Sequence, residues 1–271
     1  MQEPPVILSI AGHDPSSGAG VTADVKTAAA LGCYALTCIT ALTVQSTQGV
    51  FGVQPVAPKV VSETLERLSD DVEIAAVRIG MLGSLEVAGE IAKFLYRRRG
   101  PNVVLDPVIR SSSGAELLDE PGIEFLRGAL LDLCDVITPN VAEARLLARM
   151  EPIADGSAWE ETLPRLRETA ARLHRAGAKA IVITGGHLDP PNDFLSDTGS
   201  VLLKETINPG ERIKSGSTHG TGCAFATALA CRLALGDDLP QAARLAKEFV
   251  RLAIASSYPL GKGTGPVNHF G

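Results

Sequence analysis

The sequence predicts an α/β fold in which one mostly parallel sheet carries helices on both faces, a three-layer sandwich in a single domain spanning residues 1–271. Three observations point there. Short β-branched runs alternate with stretches of helical periodicity along the whole chain. Several runs are apolar at every position, the pattern of strands buried on both faces. They end repeatedly in glycine, small polar residues or an acid, the chemistry of loops that hold ligands at the carboxyl edge of a parallel sheet.

Composition narrows the function. Hydrophobic residues make up 45% and charged residues 21% of the 271, which suits a packed enzyme-like body rather than a disordered chain. The net charge of -6 removes the basic footprint that nucleic acid requires, and Arg97-Arg98-Arg99 reads as a solvated helix end. Cys33, Cys38, Cys134, Cys223 and Cys231 are odd in number and lack C-x-x-C spacing, so neither a disulfide framework nor a zinc site is expected. The apolar run after Pro5 is too short for a signal peptide and no run reaches membrane-spanning length. A cytoplasmic protein without a membrane partner is the expectation.

In chain order, 6–11 reads as a buried strand that opens at Gly12 onto a turn-rich loop reaching Gly20. Val21, Val25, Ala28 and Ala29 then give a helix ending near Gly32, with Asp24 either projecting a carboxylate or complementing the helix dipole. A β-favouring run over 34–44 leads into a polar loop, 45–50, and a second such run over 50–56. Gln45 in that loop can donate and accept at once, which fits a heteroaromatic edge or plain solvent. Pro58 starts a helix on Val60, Val61, Leu65 and Leu68. A strand over 74–79 exits at Gly80-Met81, where Met81 packs on a flat ligand or plugs a gap, and Ser84 caps a helix running to about Arg98.

The run 103–108 ends in Asp106 and Pro107, a buried strand with a carboxylate at its ligand-binding end, able to hold magnesium's water shell or to anchor the turn at Ser111-Ser112-Ser113-Gly114. After a helix over 121–133 and a strand over 135–138, Asn140 and Glu143 have capping-box spacing. That box accounts for Glu143 by itself; its position at a strand end leaves a second role near magnesium open. A long helix over 158–176, a strand over 180–183 and the exit Thr184-Gly185-Gly186-His187 follow. Residues 189–200, with Pro190 and Pro191, read as a surface excursion, and 201–204 as a short strand. Ser215 to Cys223 is a glycine-rich turn feeding a helix that ends near Gly236. Its first amides, opened by Gly220 and Gly222, form an anion cradle around Thr221, and the dipole is expected to lower the thiol pKa of Cys223, unless Cys223 merely packs. The last helix, 239–256, carries Lys247.

Together these segments resemble the ribokinase-like superfamily, and within it the hydroxymethylpyrimidine and hydroxymethylpyrimidine-phosphate kinases of thiamine biosynthesis. The resemblance rests on Gly12, Gly18-Ala19-Gly20, Ala23 to Thr27, Thr47 to Val50, Ile79 to Gly83, Asp106-Pro107-Val108, Thr138-Pro139-Asn140 with Glu143, Gly185-Gly186-His187, Thr218 to Cys223 and Gly265 to His269, in that order. It implies that Gly12, Asp24, Gln45, Met81 and Val108 form a pyrimidine pocket. It also implies that Asp106 and Glu143 organise Mg2+, that Asn140, Thr184 and Lys247 lie along ATP, and that Gly220, Thr221, Gly222 and Cys223 act at the transferred phosphate, with Cys223 as base. Thr184 departs from the family's usual lysine, Ser46 and Ser217 from asparagines, and His13 from serine or threonine.

The resemblance thus implies ATP-dependent phosphorylation of 4-amino-5-hydroxymethyl-2-methylpyrimidine and then of its monophosphate, with a homodimer as candidate assembly. A pyridoxal, pyridoxine or pyridoxamine kinase is the alternative on the same scaffold. A non-catalytic pyrimidine sensor, supported by Thr184, is the alternative of another class.

Overall fold

A computed structural model of the chain describes residues 3–98, 100–111, 114–198 and 203–271. Among the described residues nine strands form one sheet in the order β3-β2-β1-β4-β5-β6-β7-β8-β9. The six central strands, β2 (Tyr34–Ser46), β1 (Val6–His13), β4 (Ala76–Ile79), β5 (Val103–Leu105), β6 (Val136–Ile137) and β7 (Ala180–Ile183), run parallel. Antiparallel strands flank them: β3 (Gly49–Pro55) at one end, β8 (Asp193–Asp197) and β9 (Lys204–Asn208) at the other.

The continuous apolar runs have the expected cause, because alternate side chains feed two separate cores. Val103 and Leu105 pack with helices α2 (Pro58–Asp71), α3 (Leu85–Arg97), α4 (Glu120–Phe125), α5 (Val141–Leu147) and α6 (Trp159–Arg175). Val104, one residue between them, packs with α1 (Gly20–Ala30), α7 (Thr221–Ala234) and α8 (Leu239–Ala255). Local signals held where they were strong. Ser84 Oγ accepts from the Val87 amide at the start of α3, and Asn140 and Glu143 close a full capping box on α5.

Three expectations change. The polar loop at 45–50 shrinks, since Gln45 and Ser46 stay in β2 and pair with Val50 and Gly49 across a bulge at Val44/Gln45. The helix over 121–133 breaks into α4, a π-turn over Leu126–Leu130 and a 3-10 turn over Leu131–Leu133. The surface excursion at 189–200 contains β8, whose Phe194 and Leu195 are buried in opposite cores. Its flanking Asp193 and Ser196, both buried, interrupt the apolar pattern that would have announced a strand. Of the strand expected over 201–204, residues 201 and 202 lie outside the described residues, as do Arg99, Ser112, Ser113 and Ser200; β9 begins at Lys204.

Candidate active site

The strand exits converge on the carboxyl edge of the sheet beside the start of α7. Gly220 caps that helix with φ +86°, and a Cβ there would lie 1.8 Å from the Gly18 carbonyl oxygen. Only glycine lets the loop after β1 rest on the α7 turn. Gly222 faces open space, and the Gly222 and Cys223 amides lie in the helix's unpaired first turn.

Beneath this turn lies a buried charge cluster that the sequence reading missed. Arg78, fully buried on β4, donates from Nη1 to Asp24 Oδ2 at 3.1 Å and from Nη2 to Asp106 Oδ2 at 2.8 Å. Asp24 also accepts from Ser9 Oγ at 2.6 Å and Thr227 Oγ1 at 2.7 Å. Its side chain has no exposure whereas that of Asp106 keeps 8%. Asp24 is therefore sealed in the interior rather than projecting from its helix, and of the two carboxylates Asp106 is the one that keeps some exposure. The available signal was a single arginine inside an otherwise apolar strand, where an unpaired charge would be prohibitive.

Electrostatics follow from this packing. Burial raises the Asp24 carboxyl, opposed by the Arg78 charge. Asp106 and Glu143 are both raised, by burial first; the Asp106 charge adds to the effect at Glu143, while Arg78 restrains Asp106. The Cys223 thiol is also in this group, and burial pushes it up to about 11, with Arg78 pulling it down and Asp106 and Asp24 adding to the rise. The expectation of a thiol lowered by the helix N-terminus is thus corrected: burial first, and then the Asp106 and Asp24 charges, raise it.

Of the residues that the resemblance assigns to a pyrimidine pocket, Gly12, Met81 and Val108 lie together. Met81 is buried with Ala41 and Leu117 and packs against Val50 and Val108. A Cβ on Gly12 would lie 2.8 Å from Met81 Sδ, so the glycine admits the methionine. The β2 bulge turns Gln45 towards α7, where its Nε2 lies 3.2 Å from His219 Nε2. His219 Nε2 is 2.8 Å from Asp14 Oδ2. Asp14 and His219 are further residues that sequence reading did not single out.

On the far side, Asn140 pairs with Thr184, whose amide donates to the Pro139 carbonyl at 2.9 Å. Lys247 is not free beside them. Its Nζ lies 2.7 Å from buried Asp193, whose Oδ1 also accepts from the Gly185 amide at 2.9 Å. Lys247 therefore braces the Gly185 turn from behind and does not stand in for the lysine absent at Thr184. Arg212 crosses the same turn, donating to the carbonyls of Gly186 and Leu188.

A glycine-rich helix start, two like-charged carboxylates and an apolar wall gathered at one edge of the sheet suit transfer of a phosphoryl group to a flat alcohol. Relatives agree. The chain is 38% identical over 268 residues to the hydroxymethylpyrimidine/phosphomethylpyrimidine kinase of Haemophilus influenzae, covering 97% of this chain and 96% of that protein. It is 41% identical over 265 residues to the thiamine biosynthesis bifunctional protein of Geobacter sulfurreducens, covering 97% of this chain but only 52% of that longer protein. Among solved structures, an ADP complex of Bacillus subtilis pyridoxal kinase superposes with a TM-score of 0.86 at 31% identity, over 98% of both chains. The family profile described as phosphomethylpyrimidine kinase matches residues 14–268, and with the relatives above it places this chain in the phosphomethylpyrimidine kinase family.

Proposed function

We propose that the chain phosphorylates the hydroxymethyl group of 4-amino-5-hydroxymethyl-2-methylpyrimidine, and then the monophosphate, at the expense of ATP in thiamine biosynthesis. The observation that carries this reading is the convergence on one motif. Gln45, suited to a heteroaromatic edge, touches His219, while four residues on Cys223 shares a cluster with Arg78 and Asp106. Ring recognition and the phosphate cradle are thereby a few residues apart on a rigid helix start.

In this reading Gly12, Met81 and Val108 hold the ring face. Asn140 and Thr184 lie along ATP, and the Thr221 to Cys223 amides meet the transferred phosphate. Asp106 and Glu143 fit a magnesium ion with its waters, because both are hard oxygen donors held up by burial and the Asp106 charge raises Glu143 further, a pairing that a nearby cation would relieve. Bound there, magnesium would supply charge neutralisation on the phosphates. Cys223, protonated at neutral pH with a pKa near 11, serves as a hydrogen-bonding partner that orients the substrate hydroxyl. Positioning rather than a pre-formed thiolate base carries its contribution.

Steady-state assays with the pyrimidine alcohol, its monophosphate, pyridoxal and pyridoxine test the reading. The diphosphate should accumulate at saturating ATP, and its absence would sink the two-step reaction. The superposition on pyridoxal kinase favours pyridoxal phosphorylation as the second reading; kcat/KM for pyridoxal above that for the pyrimidine would establish it.

A further inference from the structure

The contacts around Gln45 specify more than its place in the wall. Asp14 accepts from the Ser16 amide at 2.8 Å and Ser16 Oγ at 2.7 Å on one oxygen. Its other oxygen takes the Gly18 amide at 3.2 Å, the Ala19 amide at 2.9 Å and His219 Nε2 at 2.8 Å. Burial pushes the Asp14 carboxyl up, but the bonds from His219 and Ser16 outweigh it and leave it below the ordinary value. An ionised carboxylate only accepts, so His219 Nε2 carries hydrogen and has no lone pair for a Gln45 amide hydrogen.

The other neighbour imposes the same choice. Thr43 Oγ1 lies 3.0 Å from the His13 carbonyl oxygen and 3.1 Å from the far end of the Gln45 amide. The hydroxyl has one hydrogen, and the carbonyl can only accept it. Thr43 therefore offers a lone pair to Gln45. Both neighbours are served when the Gln45 amide nitrogen faces Thr43 and its oxygen faces His219 Nε2, whose one hydrogen is then shared between Asp14 Oδ2 at 2.8 Å and the Gln45 oxygen at 3.2 Å in a three-centre bond; the opposite orientation sets an amide N–H against a ring N–H.

We propose that His219, held by Asp14, is a positioning residue that fixes the orientation of the Gln45 amide and thereby selects an aminopyrimidine edge over a pyridine alcohol. This rests on the reading of Gln45 as a ring-edge contact. In the fixed orientation one amide hydrogen and one oxygen lone pair remain for the ligand. An amino group adjacent to a ring nitrogen presents the complementary donor and acceptor; a pyridine hydroxyl next to carbon does not. His219 is itself set by main chain, since its amide donates to the Gly265 carbonyl at 3.0 Å and its carbonyl accepts from the Val267 amide at 3.2 Å. Gly18 leaves room for the ring, because a Cβ there would lie 2.3 Å from His219 Cδ2.

Calorimetric binding of the pyrimidine alcohol and of ATP to Gln45→Leu, His219→Leu, the double variant and His219→Gln tests the proposal. Each single Leu variant should weaken the pyrimidine about ten-fold, the scale of one ordinary hydrogen bond, with ATP affinity within about three-fold of wild type. The double variant should lose little more than either single. His219→Gln, whose amide nitrogen can replace the Nε2 donor, should restore most of the affinity. Gly18→Ala, which displaces His219 without removing it, should mimic His219→Leu. Unchanged pyrimidine affinity in Gln45→Leu would remove the underlying reading of Gln45. A loss in Gln45→Leu with fully additive losses in the double, or an equal loss of ATP affinity in His219→Leu, would overturn the positioning role alone.

Discussion

Replacing Arg78 with methionine is the sharpest perturbation of this molecule. The side chain is fully buried, and its fork ties Asp24 and Asp106 at 3.1 and 2.8 Å. Breaking a buried ion pair from one side costs about 3–5 kcal/mol, because the remaining charge is left in a medium that solvates it poorly. Two carboxylates lose their cation here, but Asp106 retains 8% side-chain exposure and Asp24 none, so Asp24 carries most of the penalty. Against a typical domain stability of about 5–15 kcal/mol, the loss is a large share. Urea denaturation at pH 7 should show it as a lowered midpoint with an unchanged slope. The penalty should shrink on acidification. Asp24 is already raised above its ordinary 3.8 by burial, so the folded state holds its proton more tightly and stability rises as pH falls towards that value. Adding Asp24→Asn to Arg78→Met removes the stranded charge and should recover about half of the loss. A single variant within about 1 kcal/mol of wild type at pH 7, or a double variant no better than the single, would refute the account.

Cys223→Ala should lower kcat by about 100-fold, the scale of a misplaced reacting group, with ATP affinity nearly unchanged, and Cys223→Ser should keep part of the rate, as measured by coupled ADP release. Among the described cysteines only Cys223 is not buried, so alkylation of the native protein should label it alone, with a rate still climbing above pH 9 as a thiol near 11 requires; a plateau by pH 9 would contradict that environment. Lys247→Met strands Asp193, which is 3% exposed, and should cost about 3–5 kcal/mol while raising the KM for ATP more than that for the pyrimidine. His269, bonded to Thr27 Oγ1 at 3.0 Å, is held down to about 4 by burial and then by the Lys26 charge. Its lowered pKa means the unfolded state takes up the proton first, so stability should fall by roughly 3 kcal/mol as pH drops from 6.5 through 4, and His269→Asn should flatten that slope in thermal melts.

What the sequence determined by itself was local or periodic. Ser84, and Asn140 with Glu143, announced helix starts because a cap bonds within three residues of itself, and Pro58 because its fixed φ suits the first turn. The apolar runs announced the central parallel strands because burial on both faces leaves few polar positions, Ser9 and Arg78 among them. The strand exits at Gly12, Gly80, Asp106, Asn140 and Thr184 marked the carboxyl edge of the sheet, and motif order carried the family. Tertiary structure decided how those groups are charged and aimed. Arg78 meets Asp24 across 54 residues of chain and Asp106 across 28, and His219 meets Gln45 across 174 and Asp14 across 205. No local pattern encodes such pairings, since they arise from neighbouring strands and a helix start brought together by the sheet order. The same packing reversed the expected shift at Cys223 and occupied Lys247, because desolvation and charge partners belong to the folded neighbourhood rather than to the residue.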